Sequence, residues 1–102
     1  MKFFKKLDKR RECWNLNYSF ILWLNERLKI YKEEASRTVD LNYHKFNWQG
    51  KEYTQLQMID KLIELTDYLI EEERYFDWTD ETDKVVKNML EIFSLIFESL
   101  WW

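Results

Sequence analysis

The chain has 102 residues, a net charge of −3, one cysteine, one glycine and no proline. That length suits a single domain with a modest core, and a lone Cys13 excludes an internal disulfide and points to a reducing cytoplasm. No apolar run has the length of a signal peptide or membrane span, because Lys87, Glu91 and Glu98 interrupt the C-terminal stretch.

Charge is unevenly spread. Lys2, Lys5, Lys6, Lys9, Arg10 and Arg11 face only Asp8 in the first eleven residues, a local charge of +5, which leaves −8 for the rest. An acidic remainder repels duplex nucleic acid, so no duplex partner is expected. The basic segment 1–12 reads either as a solvated helix end or frayed tail, or as an arm that closes over an anion.

The first strong helix is predicted from about Asn15 or Asn17 to about Ala35, with Asn as a cap and Phe20, Leu24, Leu28 and Tyr31 at helical spacing. Arg27 falls inside that stripe, one turn from Trp23 and Tyr31, which puts a permanent cation on a face expected to be covered. From Ser36 to Tyr53 the helical period gives way to alternating aromatics, Tyr43, Phe46, Trp48 and Tyr53, and a short hairpin is predicted around Gln49-Gly50.

Thr54 and Gln57 form a capping-box pattern, with Tyr53 and Met58 as the hydrophobic staple, and start a second helix. It is predicted to reach about Arg74 and to bury Met58, Ile59, Leu62, Ile63, Leu65, Leu69 and Ile70. Asp60, Glu64, Asp67 and Glu71 align along one edge. They read as a solvated face, with the alternative that Asp60 or Asp67 turns inward to Arg27 or to a ligand base. Glu71 to Glu73 form a charge run that also reads as solvated.

Thr79 or Asp80 caps a third helix whose first turn carries Glu81 and Asp83, favourable at the positive end of the helix dipole. This helix is predicted to run to the chain end. Its apolar residues, from Val85 through Phe93 and Phe97 to Trp101, span about half the circumference, wider than the roughly 100° that one neighbouring layer requires. Self-association through this helix is the expected explanation. The predicted fold is a mainly α three-helix bundle with a short β-hairpin or loop between helices 1 and 2, forming one domain.

Catalytic readings lack parts. His44 is the only histidine and reads as a hairpin surface residue; there is no Gly-rich phosphate loop, Cys pair or Glu-x-x-His motif. A Cys13/His44 nucleophile pair would have no identifiable oxyanion donor or orienting group. No enzyme activity, cofactor or metal is expected. Six Trp, six Tyr and seven Phe exceed what a small helical core needs, so some must lie on surfaces. Flat rings and cations suit a nucleotide, and the candidate ligand-binding residues are Trp14, Tyr18, Trp23, Arg27, Tyr31, Tyr43, Lys45 and Trp48, with Lys51 nearby. Core packing is the competing reading for Trp23 and Tyr31.

The string Trp14-Asn15-Leu16-Asn17-Tyr18-Ser19-Phe20-Ile21-Leu22-Trp23-Leu24, followed by Arg27-Leu28 and the closing Leu100-Trp101, resembles small helical proteins encoded by tailed bacteriophages. In those proteins a Trp-x-Leu-Asp-type start leads into a Trp-containing helix with Arg-Leu, and the chain ends in Leu-Trp. The likeness covers the first helix and the last, and none of its motifs is a catalytic signature. Asn17 stands where an acidic residue is expected.

Phage proteins of this size and type include anti-CBASS-type sponges, which sequester the cyclic nucleotide signals of host anti-phage systems. The resemblance implies a homo-oligomer in the cytoplasm of an infected bacterium, holding a cyclic nucleotide without cleaving it. The alternative is a phage protein that inhibits a host protein by direct binding, anchored by Trp101, Trp102 and the third helix. A hydrolase of the same nucleotides ranks last because general acid–base groups are scarce.

Overall fold

A computed structural model describes residues 13, 15–77 and 79–101; the basic segment 1–12, Trp14 and Trp102 lie outside the described residues. Leu16–Ala35 form α1, Lys45–Trp48 form β1, Lys51–Thr54 form β2, Gln55–Ile70 form α2 and Asp80–Ile96 form α3. Two 3-10 segments, Glu71–Phe76 and Phe97–Ser99, follow α2 and α3. This is the expected three-helix bundle with an antiparallel hairpin between the first two helices. Among the described residues no helix is long and apolar enough to cross a membrane.

In α1 the buried face is rotated from the predicted stripe. Ile21, Leu24, Leu28 and Ala35 are buried, while Phe20 and Tyr31 sit half-buried at its edge. The cause is polar: Asn25 lies on the buried face, where its Nδ2 donates to Thr66 Oγ1 at 2.8 Å and to Asp67 Oδ1 at 2.9 Å. Periodicity counted on apolar residues alone passes over such a position. The expected side-chain cap is also absent. Asn15 is the N-cap residue but makes no cap hydrogen bond, and it holds a left-handed backbone with φ of 61°.

The hairpin turns through Gln49 and Gly50, with φ of 51° and 77°, the two positive values a type I′ connection requires. Lys45 pairs with Thr54 and Trp48 with Lys51 across it. Pairing leads directly into α2, since Gln55 N donates to His44 O at 3.0 Å and Leu56 N to Leu41 O at 2.9 Å. Thr54 and Gln57 make both bonds of the predicted capping box. The first amides of α2 are thus satisfied by the hairpin and its own cap.

α2 is the central helix, with α1 and α3 packed along it. Met58, Ile59, Leu62 and Leu69 are fully buried there, each worth roughly 1.5–3 kcal/mol in apolar transfer. The helix stops at Ile70 and does not reach Arg74. Glu71 turns extended, and Glu72 and Glu73 take left-handed φ of 54° and 52°. Three carboxylates at the negative end of a helix dipole disfavour further turns, and the connection is pinned from beyond by buried Tyr75 and by Arg74 over the Tyr68 ring at 4.6 Å.

Thr79 caps α3, accepting from Thr82 N at 3.1 Å, as predicted. The helix ends at Ile96 instead of continuing to the chain end. Two side chains from elsewhere hold the following carbonyls: Gln55 Nε2 donates to Ser99 O at 2.9 Å, and the Tyr31 hydroxyl donates to Trp101 O at 2.8 Å. Both donors are remote in sequence, so no local signal marks the stop.

Candidate functional site between helices 1 and 3

α1 and α3 meet across α2 through rings. Phe20 lies edge-on to Phe93 at 5.8 Å and stacks with Trp23 at 6.3 Å, and Phe93 contacts Phe97 at 5.3 Å. Above this seam opens a groove of about 290 Å³, with Trp23, Arg27 and Tyr31 on one wall and Phe93, Phe97 and Leu100 on the other. The walls follow from helical spacing: Trp23, Arg27 and Tyr31 recur every fourth residue on α1, and Phe97 follows Phe93 by four residues, just past the end of α3.

Arg27 is the one charged residue lining the groove among the described residues. Its guanidinium lies 5.8 Å from the Trp23 ring centroid and forms an ion pair with Glu26. Both side chains are partly exposed, so the pair contributes little stability. The expectation that Arg27 lies on a covered face is corrected by the rotation of α1, which leaves it on the outer edge of the packed stripe. Trp23, expected either to pack in the core or to bind, is 41% exposed.

Tyr31 is half-buried at the groove's end, its hydroxyl tied to the backbone of Trp101 and contacted by Gln55 Nε2 at 3.4 Å. Burial raises its pKa above the ordinary phenol value, while the bonds to Gln55 and Trp101 partly offset the rise. The ring therefore stays a neutral donor that fixes the C-terminal segment.

The remaining candidates are dispersed. Tyr18 stacks on Tyr75 at 5.7 Å and meets Phe76 at 4.8 Å, beside the connection after α2. Its pKa is raised, first by burial and then by the charge of Glu73. Trp48 is corrected to a structural residue: it is 7% exposed, and its indole N–H donates to Glu91 Oε1 at 2.9 Å. Lys45 is exposed on β1, and Tyr43 is 75% exposed beside a different cavity. Trp14 lies outside the described residues. Of eight predicted binding residues, Trp23, Arg27 and Tyr31 line this groove together.

The carboxylate row on α2 does not reach Arg27. Asp60 pairs with Lys32 at 2.6 Å and Asp67 with Lys29 at 3.0 Å, binding α2 to α1. The opposing wall of Phe93, Phe97 and Leu100 belongs to the broad apolar face expected to self-associate or to anchor a host protein, and these three residues are absent from the predicted ligand-binding set. Among the described residues no group of three or more His, Cys, Asp and Glu side chains could hold a metal ion. Searches against protein-family profiles, curated proteins and solved structures find no match to this chain.

Proposed function

We propose that this chain is a binding protein that sequesters a cyclic nucleotide signal in the α1–α3 groove without cleaving it. The observation that carries the reading is the Trp23–Arg27 pair at the mouth of an aromatic groove: an indole face for a base and a guanidinium for its phosphate. A desolvated base gains from the Phe93 and Phe97 wall, and the weak Glu26 pair leaves the cation able to change partner. The resemblance to phage sponges agrees with this chemistry, and on this reading the protein works in the cytoplasm of an infected bacterium.

The groove is small for such a ligand. Its volume of about 290 Å³ lies at the bottom of the usual range for ligand pockets, enough for one base and its sugar. A second subunit would cover the rest and supply a second Arg27 for the next phosphate. Leu90 and Leu95, exposed on α3, and Phe97 just after it offer the apolar surface for that homo-oligomer.

Calorimetric titration against cyclic di- and trinucleotides tests the reading. Binding is expected with ligand recovered intact, and Arg27→Ala is expected to abolish it while the thermal midpoint stays unchanged. Absence of heat for every nucleotide at high micromolar concentration refutes it. The same exposed Leu90, Leu95 and Phe97 favour a second reading, an inhibitor docked on a host protein. A stoichiometric protein partner lost on Phe97→Asp, with no nucleotide bound, would select that reading instead.

A further inference from the structure

The C-terminal segment separates two cavities of opposite polarity. Phe97 and Leu100 face the groove described above, whereas Ser99 and Trp101 line a second cavity of about 250 Å³ on the other side. The second cavity is completed by Val39, Asp40, Tyr43, His44 and Gln55. No Lys or Arg lines it among the described residues, and Asp40 is its only carboxylate.

We propose that this second cavity binds a methylated ammonium group, as carried by trimethyllysine or choline. Indole, phenol and imidazole rings lining one cavity with a single carboxylate offer a weakly hydrated organic cation aromatic faces and one charge partner. A phosphate would meet the Asp40 carboxylate with no cation to offset it, so the nucleotide class assigned to the α1–α3 groove is disfavoured here.

The rings are held ready at both ends. Trp101 is fixed through its carbonyl by the Tyr31 hydroxyl, and Ser99 by buried Gln55, so the Trp101 wall is anchored although the side chain is 64% exposed. On the facing side, Asp40 Oδ1 accepts from Asn42 N at 2.9 Å and Tyr43 N donates to Asp40 O at 3.1 Å, a turn that holds carboxylate and phenol together. His44 lies edge-on to Tyr43 at 5.2 Å, and its carbonyl receives the first amide of α2. The backbone beneath both rings is thus held before binding, while the Tyr43 and Trp101 side chains, well exposed, are ordered by the cation.

The test is a titration of the full-length protein, followed by tryptophan fluorescence and by chemical-shift changes, with trimethyllysine, choline and a neutral tert-butyl isostere of choline. Both cations are expected to bind and the isostere not to. If a trimethyllysine peptide binds far more tightly than choline, the source is a protein; if choline binds as tightly as the peptide, it is a small molecule. Tyr43→Ala and Trp101→Ala are each expected to weaken the cation by about tenfold, the size of one strong cation–π contact. Asp40→Asn should weaken it several-fold. Because Tyr43 is the most exposed of these side chains, its variant reports on binding with the fold intact.

Equal binding of the isostere, no binding of either cation, or unchanged affinity in Tyr43→Ala and Asp40→Asn overturns the proposal. Arg27→Ala is expected to leave cation binding unchanged while removing nucleotide binding, so the two sites stand or fall separately. Loss of cation binding in Arg27→Ala would show that the cation sits elsewhere.

Discussion

The seam between α1 and α2 and the seam between α1 and α3 are built from different chemistry. The first is closed by aliphatic side chains and a polar network: Asn25 bridges Thr66 and Asp67, Asp67 also holds Lys29, and Asp60 holds Lys32. The second is closed only at its floor, by Phe20 against Phe93, and its upper rings stay open. Directional hydrogen bonds fix one helix pair in a single register. At the other pair the ring contacts lack that directionality, and the Tyr31 hydroxyl on the Trp101 carbonyl is the polar tie at the groove's end.

The largest expected effect breaks the closed seam. Leu62→Ala removes a fully buried side chain from the centre of α2 and is expected to cost about 3 kcal/mol in urea unfolding, with an unchanged m-value. Phe97→Ala, by contrast, touches a ring that is 60% exposed and is expected to stay within about 0.5 kcal/mol of the parent. If Phe97→Ala destabilises as strongly as Leu62→Ala, the open seam is core and the contrast disappears.

Thr66→Val sharpens the comparison. The hydroxyl accepts from Asn25 and donates back to the Leu62 or Ile63 carbonyl, so valine keeps the volume and leaves the Asn25 amide with Asp67 alone. A loss of about 1–2 kcal/mol is expected, since one buried donor proton is left without its acceptor. Adding Asn25→Leu should recover part of that loss, because both polar groups then leave together. No recovery in the double variant would mean that the network contributes little and that aliphatic packing alone closes the seam.

Much of this architecture was legible in local patterns. The capping box at Thr54 and Gln57, the Thr79 cap and the Gln49-Gly50 turn each rest on residues within a few positions of one another. What escaped was set by distant partners: the end of α3 by Gln55 and Tyr31, the rotation of α1 by Thr66, and the commitment of Trp48 by Glu91. The groove was half legible for the same reason. Trp23, Arg27 and Tyr31 share a face by spacing alone, but the wall opposite them required knowing that α3 lies alongside. Spacing also sets Tyr18 apart, since nine residues from Arg27 it falls on the opposite side of α1, whereas the commitment of Trp48 depends on distant Glu91.

The hairpin carries a smaller effect, remote from both seams. Gly50 has φ of +77°, and a Cβ there would meet nothing within 4 Å. Gly50→Ala therefore carries only the conformational penalty of a left-handed alanine, about 1 kcal/mol. Gln49, also left-handed, should gain a few tenths of a kcal/mol on replacement by Asn, which favours that region. Thermal unfolding of the two variants measures both changes, and a larger loss in Gly50→Ala would imply contacts beyond the turn itself.

The smallest expected effect concerns pH at the C-terminal wall shared by the two cavities. Burial holds the Tyr31 phenol above its ordinary pKa near 10, against the lowering influence of its bonds to Gln55 and Trp101. In that region the folded chain binds more protons than the unfolded one. The contribution to stability is therefore fully present below the unfolded value and is lost as pH rises through the folded value. Tyr18 acts in the same direction, through burial and Glu73. Urea midpoints at pH 9, 10 and 11 should decline, and Tyr31→Phe should decline less steeply because one of the raised titrations is removed. An identical slope in Tyr31→Phe would mean that its phenol ionises as easily folded as unfolded, and the neutral hydroxyl would lose its place as the fastener of the Trp101 wall.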